Sequence, residues 1–164
     1  MSIDRNRAPP VDVRVRGAVA TDLAALVALE YRVFASERIA ERQWRRYLAG
    51  SSVEVLVASR SNAVIGAAVV FFRAKSTVAR LYSIAVADEA RQAGVGALLL
   101  TAAERLARRR GASRIALEVR SDNIGAQRLY ERYGYQCFAV KHGYYEDGHD
   151  AQRYRKDLSG GRGG

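Results

Sequence analysis

The chain has 164 residues, and its 27 lysines and arginines against 17 acidic residues give a formal net charge of +10. Hydrophobic residues make up 49% and charged residues 27%, which is typical of a globular protein and not of a disordered chain. The single cysteine excludes an intramolecular disulfide and a cysteine-based zinc cluster, and the 2 histidines disfavour a histidine-rich metal site. We therefore expect one domain over residues 11–158, with no bound metal.

Hydrophobic periodicity and turn residues predict eleven elements. In chain order they are a strand over 11–16, a helix from Thr21-Asp22, a helix over 40–49, strands over 53–59, 63–72 and 76–86, a helix ending at Gly111, a strand over 114–119, a helix from Asp122 or Asn123 to 133, and strands over 135–140 and 151–157. Strands and helices alternate only in the second half. The order β-α-α-β-β-β-α-β-α-β-β therefore predicts an α/β fold with a mixed sheet of about seven strands and about four helices.

Particular residues give these predictions local detail. Thr21-Asp22 is expected to cap the first helix, and Arg60-Ser61-Asn62 has the composition of a hairpin turn. Cys137 lies in an apolar strand and is expected to pack in the interior.

The two ends and the positive charge bear on location and partners. Residues 1–10 contain Pro9-Pro10 and residues 159–164 read SGGRGG, so we expect both to be flexible. No stretch reaches the ~20 apolar residues of a membrane span, and the first residues lack a signal-peptide core, so we expect a cytoplasmic protein without membrane contact. The sequence pI of 10.2 indicates attraction to anions. Nucleic acid is possible, but the densest run, Arg108-Arg109-Arg110, has no interleaved aromatic residues and also suits the last turn of a helix.

A glycine-containing segment between a strand and a helix is the first candidate binding site. Arg91-Gln92-Ala93-Gly94-Val95-Gly96 can turn backbone N–H groups toward an anion at the helix N-terminus, as a pyrophosphate site requires. A P-loop is excluded because Ala97-Leu98 follows Gly96. A dinucleotide fingerprint would need a small residue at Leu99 and its first glycine directly after the strand.

The order of the motifs resembles the GNAT N-acetyltransferases. The similarity comprises Ser83-Ile84-Ala85-Val86 followed by Arg91-x-x-Gly94-x-Gly96-x-x-Leu99-Leu100, and downstream Leu117-Glu118-Val119-Arg120-Ser121-Asp122-Asn123, Ala126-x-x-Leu129-Tyr130-Glu131-x-x-Gly134-Tyr135 and Tyr144-Tyr145-Glu146-Asp147-Gly148. It extends over about residues 82–158 and looks most like the RimI branch, which acetylates protein N-termini. The resemblance implies a mostly antiparallel GNAT sheet and acetyl-CoA as the only cofactor.

The resemblance also implies roles for individual residues. Glu118 would be the general base, acting directly or through a water, and Tyr130 the general acid for the departing thiolate. The backbone of Ile84, Ala85 and Val86 would pair with the pantetheine arm. Further cofactor contacts would come from the glycine segment and the helix after residue 122, namely Arg91, Gln92, Ala93, Gly94, Val95, Gly96, Ala97, Asn123, Ala126, Arg128, Tyr130 and Arg132. The acceptor would contact Tyr82, Glu118, Tyr144 and Tyr145.

Less specific interpretations of the same residues remain open at this stage. Glu118 could be a solvent-facing carboxylate paired with Arg114 or Arg120, and Tyr130 could be a core residue beside Leu129. The acceptor could be the N-terminus of a protein or peptide, or a small-molecule amine. A basic RNA- or ribosome-binding module with the same fold and no turnover is the alternative from another class. The sequence does not distinguish a monomer from a homodimer.

Overall fold

A computed structural model describes residues 12–159. The expected flexible segment 1–10 and nearly all of the tail 159–164 lie outside that range. The strands are β1 (Val13–Gly17), β2 (Val53–Arg60), β3 (Ala63–Phe71), β4 (Val78–Val86), β5 (Arg114–Arg120), β6 (Gln136–Lys141) and β7 (Ala151–Asp157). The helices are α1 (Leu23–Val33), α2 (Glu41–Ala49), α3 (Val95–Arg109) and α4 (Ile124–Arg132). Short 3-10 turns at Ala20–Asp22 and Asp88–Ala93 precede α1 and α3.

The strands form one seven-stranded sheet in the order β1-β2-β3-β4-β5-β7-β6. β1 pairs with β2, β5 with β7 and β6 with β7 in antiparallel directions, whereas β4 and β5 are parallel. The predicted α/β class, element order and strand number are confirmed. No helix within residues 12–159 has the length and apolarity needed to cross a membrane.

The chain divides into two compact units. The described part of the first unit covers residues 12–70 and 83–103, and that of the second covers residues 71–82 and 104–159. In the first unit, the predicted hairpin turn is confirmed by left-handed φ values of +50° at Ser61 and +64° at Asn62. Two consecutive residues with positive φ are typical of a type I′ turn, which matches the twist of the strands it joins.

Asp22 stands at the N-cap of α1, as predicted, but its side chain does not cap that helix. Its carboxylate makes no capping hydrogen bond to α1 and instead accepts hydrogen bonds from the Arg16 guanidinium at 2.7 and 2.9 Å and from the Val19 N–H at 2.8 Å. Asp22 therefore ties β1 to the 3-10 turn before the helix. Hydrogen bonding to Arg16 is the main reason that the pKa of Asp22 is lowered.

The second unit has a sheet with two distinct faces. Ile115, Leu117 and Val119 of β5 are buried on one face, so the alternation of a strand places Glu118 on the other. Behind the buried face, Glu104 of α3 accepts hydrogen bonds from Tyr135 Oη at 3.0 Å and from Lys156 Nζ at 2.9 Å.

Strand β6 is at the edge of the sheet and is mostly exposed. The expected interior position of Cys137 is therefore wrong, because its thiol is exposed and lies 3.5 Å from the Ala139 carbonyl oxygen. The register of β6 on β7 shifts between Cys137 and Ala139, which marks a β-bulge.

Candidate active site

The glycine segment of the first unit is a compact reversal between β4 and α3. The 3-10 turn Asp88–Ala93 ends at Gly94, whose φ of +81° is left-handed and favours glycine. A Cβ placed at Gly94 would meet nothing within 4 Å, so the outer side of the turn is open to the close approach of a ligand. The Leu98 N–H already bonds the Gly94 carbonyl at 3.1 Å, while the first N–H groups of a helix have no partner inside it.

The side chains around this turn make local contacts. Nε of Arg91 lies 3.3 Å from the Asp88 carboxylate and 3.5 Å from the Val86 carbonyl. Arg32 of α1 reaches Glu89 of the same turn at 3.1 Å, so an ion pair joins the end of α1 to the glycine segment. Ala85 and Val95 are buried on either side of the turn, which fixes the end of β4 and the start of α3 in the core of this unit.

Gly66 of β3 is a positioning residue that the sequence analysis missed. A Cβ at Gly66 would lie 2.9 Å from Leu99 Cδ1, 3.1 Å from Val95 Cγ1 and 3.2 Å from the Ala85 carbonyl oxygen. The missing side chain thus lets the first turns of α3 approach the sheet. A glycine within an apolar strand, as in Ile65-Gly66-Ala67, is the available sequence signal for such a close approach.

In the second unit, α4 carries the other predicted cofactor residues. Asn123 is its N-cap, and its Oδ1 accepts a hydrogen bond from the Ala126 N–H at 3.1 Å. Arg128 and Arg132 are exposed on α4. Their guanidinium groups are therefore accessible to an anionic ligand.

Tyr130 is buried within the second unit among other aromatic rings. Its ring centroid lies 5.6 Å from that of Tyr135 and 6.4 Å from that of Tyr154. Burial raises the pKa of Tyr130, so the phenol holds its proton at neutral pH. Among the described residues, no hydrogen bond joins Tyr130 to Glu118.

Glu118 lies on the opposite face of β5 from the core residues, and its side chain is only 11% exposed. Its Oε2 atom is buried and has no hydrogen-bond partner among the described residues. The closest cation to this oxygen is Arg80, with Nη2 at 3.6 Å. A carboxylate oxygen that is shielded from water and lacks a donor is costly to leave unsatisfied, which points to an exogenous donor such as an amine or a water.

Two further cations and a phenol surround the same carboxylate. Lys141 Nζ lies 3.8 Å and Arg153 Nε 3.6 Å from Oε1. Arg153 is directly opposite Glu118 in the β5–β7 register. Tyr144 also faces this group, and hydrogen bonding toward Glu118, more than its partial burial, raises the pKa of Tyr144. Among residues 12–159, Glu118 forms no ion pair with Arg114 or Arg120, so the alternative pairing is not found.

The predicted acceptor residues do not all occupy the same place. Tyr82 is exposed, and its ring centroid lies 5.6 Å from the Arg80 guanidinium carbon. Because Arg80 also contacts Glu118, Tyr82 belongs to the group of side chains around that carboxylate. Tyr144 is exposed as well. The ring centroid of Tyr145 lies 5.0 Å from that of Tyr144. The cation over the Tyr145 ring is Arg120, at 4.8 Å, and not one of the cations around Glu118.

The cations of this site, like Gly66, were not predicted from the sequence. Arg80, Lys141 and Arg153 come from three different strands, and only the register across the sheet brings them to one carboxylate. Among residues 12–159, no group of three or more His, Cys, Asp or Glu side chains is arranged to hold a metal ion.

The mixed sheet, the glycine turn before α3 and the motifs of β5 and α4 define the class of protein. The chain belongs to the acetyltransferase (GNAT) family, which it matches over residues 21–135. This confirms the family resemblance and the GNAT fold expected from the motifs.

Curated relatives of the chain are named as an alanine N-acetyltransferase and as N-alpha-acetyltransferases. The chain is 38% identical over 74 residues to a putative [ribosomal protein bS18]-alanine N-acetyltransferase of Bacillus subtilis, a match covering 44% of this chain and 49% of the relative. It is 41% identical over 77 residues to an N-alpha-acetyltransferase of Saccharolobus solfataricus, which covers 46% of each. The chain thus spans about half the length of the curated relatives it matches. Among solved structures, the ribosomal-protein-S18-alanine N-acetyltransferase of Escherichia coli superimposes with a TM-score of 0.81 at 25% identity, covering 92% of this chain and 97% of that one.

Proposed function

We propose that this protein transfers the acetyl group of acetyl-CoA to a primary amine, and that its preferred acceptor is the N-terminal α-amine of a protein or peptide. The observation that carries the proposal is the buried Oε2 of Glu118, a carboxylate oxygen without a donor beside the exposed rings of Tyr82 and Tyr144. An amine or an amine-bound water supplies the N–H or O–H that this oxygen lacks, and the exposed rings leave room for the rest of the acceptor.

The cofactor proposal is supported separately in each unit. In the first unit, the open turn at Gly94 and the start of α3 offer backbone N–H groups and the positive end of a helix dipole, which suit the pyrophosphate of CoA. Ile84 and Val86 are the strand residues whose backbone would pair with the pantetheine arm. In the second unit, Arg128 and Arg132 are exposed cations available to a phosphate.

The proposed chemistry assigns one proton to each of two residues. Glu118 accepts a proton from the attacking amine, directly or through a water, while the nitrogen bonds to the acetyl carbon. The carbon–sulfur bond then breaks, and Tyr130 gives its proton to the thiolate. The phenol of Tyr130 is in the protonated form that a general acid requires, although burial raises its pKa and so makes it a weaker acid than an exposed tyrosine.

The fraction of neutral amine at pH 7 favours α-amines over lysine side chains as acceptors. An α-amine, with a pKa of about 7.7–8.0, is roughly one-tenth neutral at pH 7, whereas lysine, with a pKa of about 10.4, is neutral in fewer than about one molecule in a thousand. A modest base therefore suffices for the α-amine. The names of the relatives from B. subtilis and S. solfataricus agree with this acceptor class.

A thiol-release assay with acetyl-CoA tests the proposal on three acceptor sets: peptides with a free N-terminus, N-terminally blocked peptides with one lysine, and small amines. We expect turnover on the free N-termini to exceed that on the other two sets. Higher kcat/KM on a small amine would replace the peptide acceptor with a metabolite. No thiol release from any acceptor, together with no thermal stabilisation by acetyl-CoA, would favour a non-catalytic binding module.

Replacement of Tyr130 by Phe tests the acid role in the same assay. We expect kcat to fall by about a hundredfold, because general acid catalysis contributes on the order of 10²–10⁴. Tyr133→Phe, at the C-cap of α4 and three residues before β6 begins, is the matched control. Equal kcat in the Tyr130→Phe and wild-type proteins would remove Tyr130 from the mechanism.

A further inference from the structure

The cations around Glu118 outnumber the carboxylates available to them. Arg80, Lys141 and Arg153 each have a nitrogen 3.6–3.8 Å from the Glu118 carboxylate. Among residues 12–159, none of these three cations forms an ion pair with a second acidic residue. One negative charge therefore faces three positive charges, and the cluster has a local excess of positive charge.

Each of the three cations also lies near an aromatic ring. Arg80 lies 5.6 Å from the ring of Tyr82, and Lys141 lies 5.2 Å from that of Tyr144. Arg153 lies 5.1 Å from the ring of Phe138. Cation–π attraction favours positions of these charged groups near the face of the sheet, beside the carboxylate.

Arg120, further along β5 in the same unit, is an arginine whose positive charge is neutralised by carboxylates. Its guanidinium binds both Asp122 and Asp147, so two carboxylates share one arginine. The imbalance at Glu118 is thus a property of this site and not of every arginine in the unit.

We propose that the acceptor peptide carries an acidic side chain at the residue directly after its reactive N-terminus. An amine placed at Oε2 of Glu118 puts the next Cα about 3.8 Å further along the chain, so a carboxylate on that residue falls within reach of the cations. The side chains of Arg80, Lys141 and Arg153 are 36–45% exposed and therefore accessible to it. The inference rests on the proposed N-terminal acetyltransferase activity and names its substrate class.

The expected size of the preference follows from the partial exposure of the cations. Each half-exposed charge pair changes an equilibrium by about two- to fivefold. We expect kcat/KM for a peptide beginning Ala-Asp to exceed that for the isosteric Ala-Asn peptide by about fivefold, and that for Ala-Lys by about twentyfold. Added salt reduces the preference, because exposed charges are screened.

The experiment measures kcat/KM for these three peptides in the wild-type protein and in Arg80→Gln, Lys141→Gln and Arg153→Gln. Each substitution is expected to lower the Asp-to-Asn ratio by about twofold or more. Arg155→Gln is the matched control, because Arg155 also contacts the Phe138 ring, at 4.5 Å, and among the described residues it forms no ion pair with Glu118. A purely structural role for the cations would lower kcat/KM for all peptides and leave the ratio unchanged.

The outcomes separate the substrate class from the activity itself. If the Ala-Asn peptide is acetylated and the Ala-Asp peptide is no better, the acidic acceptor is refuted and the acetyltransferase activity stands. If none of the peptides releases thiol, the proposed function fails and the inference fails with it. Free aspartate offers the same carboxylate without a peptide, and turnover above that of the Ala-Asp peptide would refute a peptide acceptor.

Discussion

Replacement of Gly66 by alanine perturbs the contact that sets the start of α3. The new Cβ would lie 2.9 Å from Leu99 Cδ1 and 3.1 Å from Val95 Cγ1, both in fully buried side chains, and 3.2 Å from the Ala85 carbonyl oxygen. The Leu99 methyl could rotate away only into a packed core, and neither the branched valine nor the backbone oxygen can move independently. Overpacking of this kind costs about 1–3 kcal/mol.

A second, opposing effect acts on the unfolded chain. Alanine has less conformational freedom than glycine, which stabilises the folded state by about 0.4–1 kcal/mol where the backbone tolerates it. We therefore expect Gly66→Ala to lower the free energy of unfolding by about 1–2 kcal/mol, measured by urea denaturation. We also expect weaker acetyl-CoA binding by calorimetry, because the start of α3 must shift.

Gly17→Ala is the matched control, since a Cβ at Gly17 meets nothing within 4 Å. Alanine there is expected to leave the unfolding free energy unchanged or to raise it slightly. Equal urea midpoints for Gly66→Ala and the wild-type protein would refute the claim that this glycine is required for close packing.

Three further predictions concern stability and pH. Lys156→Met leaves the buried Glu104 carboxylate without its cation and should cost about 3 kcal/mol by urea denaturation; a loss below that of a typical surface substitution would show that the pair is not stabilising. The pKa of Asp22 is lowered in the folded protein, so its contact with Arg16 stabilises the fold above the unfolded pKa and is lost as the pH falls through the folded pKa. In Asp22→Asn the urea midpoint should therefore fall less steeply than in the wild-type protein as the pH is lowered through the acid range, and an equal fall would contradict this. Burial raises the pKa of Glu30, so the pH dependence of stability has the opposite sign: the free energy of unfolding falls as the pH rises through that pKa. We expect Glu30→Gln to be more stable than the wild-type protein at pH 7 and equal to it near pH 4. A variant that is less stable at pH 7 would contradict this assignment.

Elements with strong local signals were predictable from the sequence. Helix α4 begins at the capping oxygen of Asn123 and is followed by Gly134 with a φ of +90°, as the pattern of cap and glycine indicates. The turn at Ser61-Asn62 has the left-handed backbone that its composition favours. These features depend on residues within one turn of each other, so a single sequence contains the information needed.

Features that depend on distant contacts were not predictable in the same way. Asp22 has the composition of a helix cap, but Arg16 and the Val19 N–H bind its carboxylate more effectively than the helix does. Cys137 lies in a strand that looks apolar, but the strand is at the edge of the sheet and the side chain is exposed. Neither the competing partner nor the position of a strand within the sheet can be inferred from local pattern.

In the candidate site, too, local features were predictable from the sequence and long-range contacts were not. The motif around Glu118 was recognisable, and the alternation of β5 placed its side chain away from the core. The ion-pair partners of Glu118 were not predictable, because Arg114 and Arg120 lie on the same strand and looked equally suitable as partners. The strand register brings Arg153 directly opposite Glu118, and the parallel pairing of β4 with β5 brings Arg80.

The most direct test of the central claim is the rate of acetyl transfer to a free N-terminal peptide by Glu118→Gln. The substitution keeps the shape of the side chain and removes the proton acceptor. Glu41→Gln, in an exposed ion pair on α2, is the matched control for loss of a glutamate charge. The account predicts a fall in kcat of about a hundredfold or more with unchanged affinity for acetyl-CoA. A kcat equal to that of the wild-type protein, at intact acetyl-CoA affinity, would contradict it.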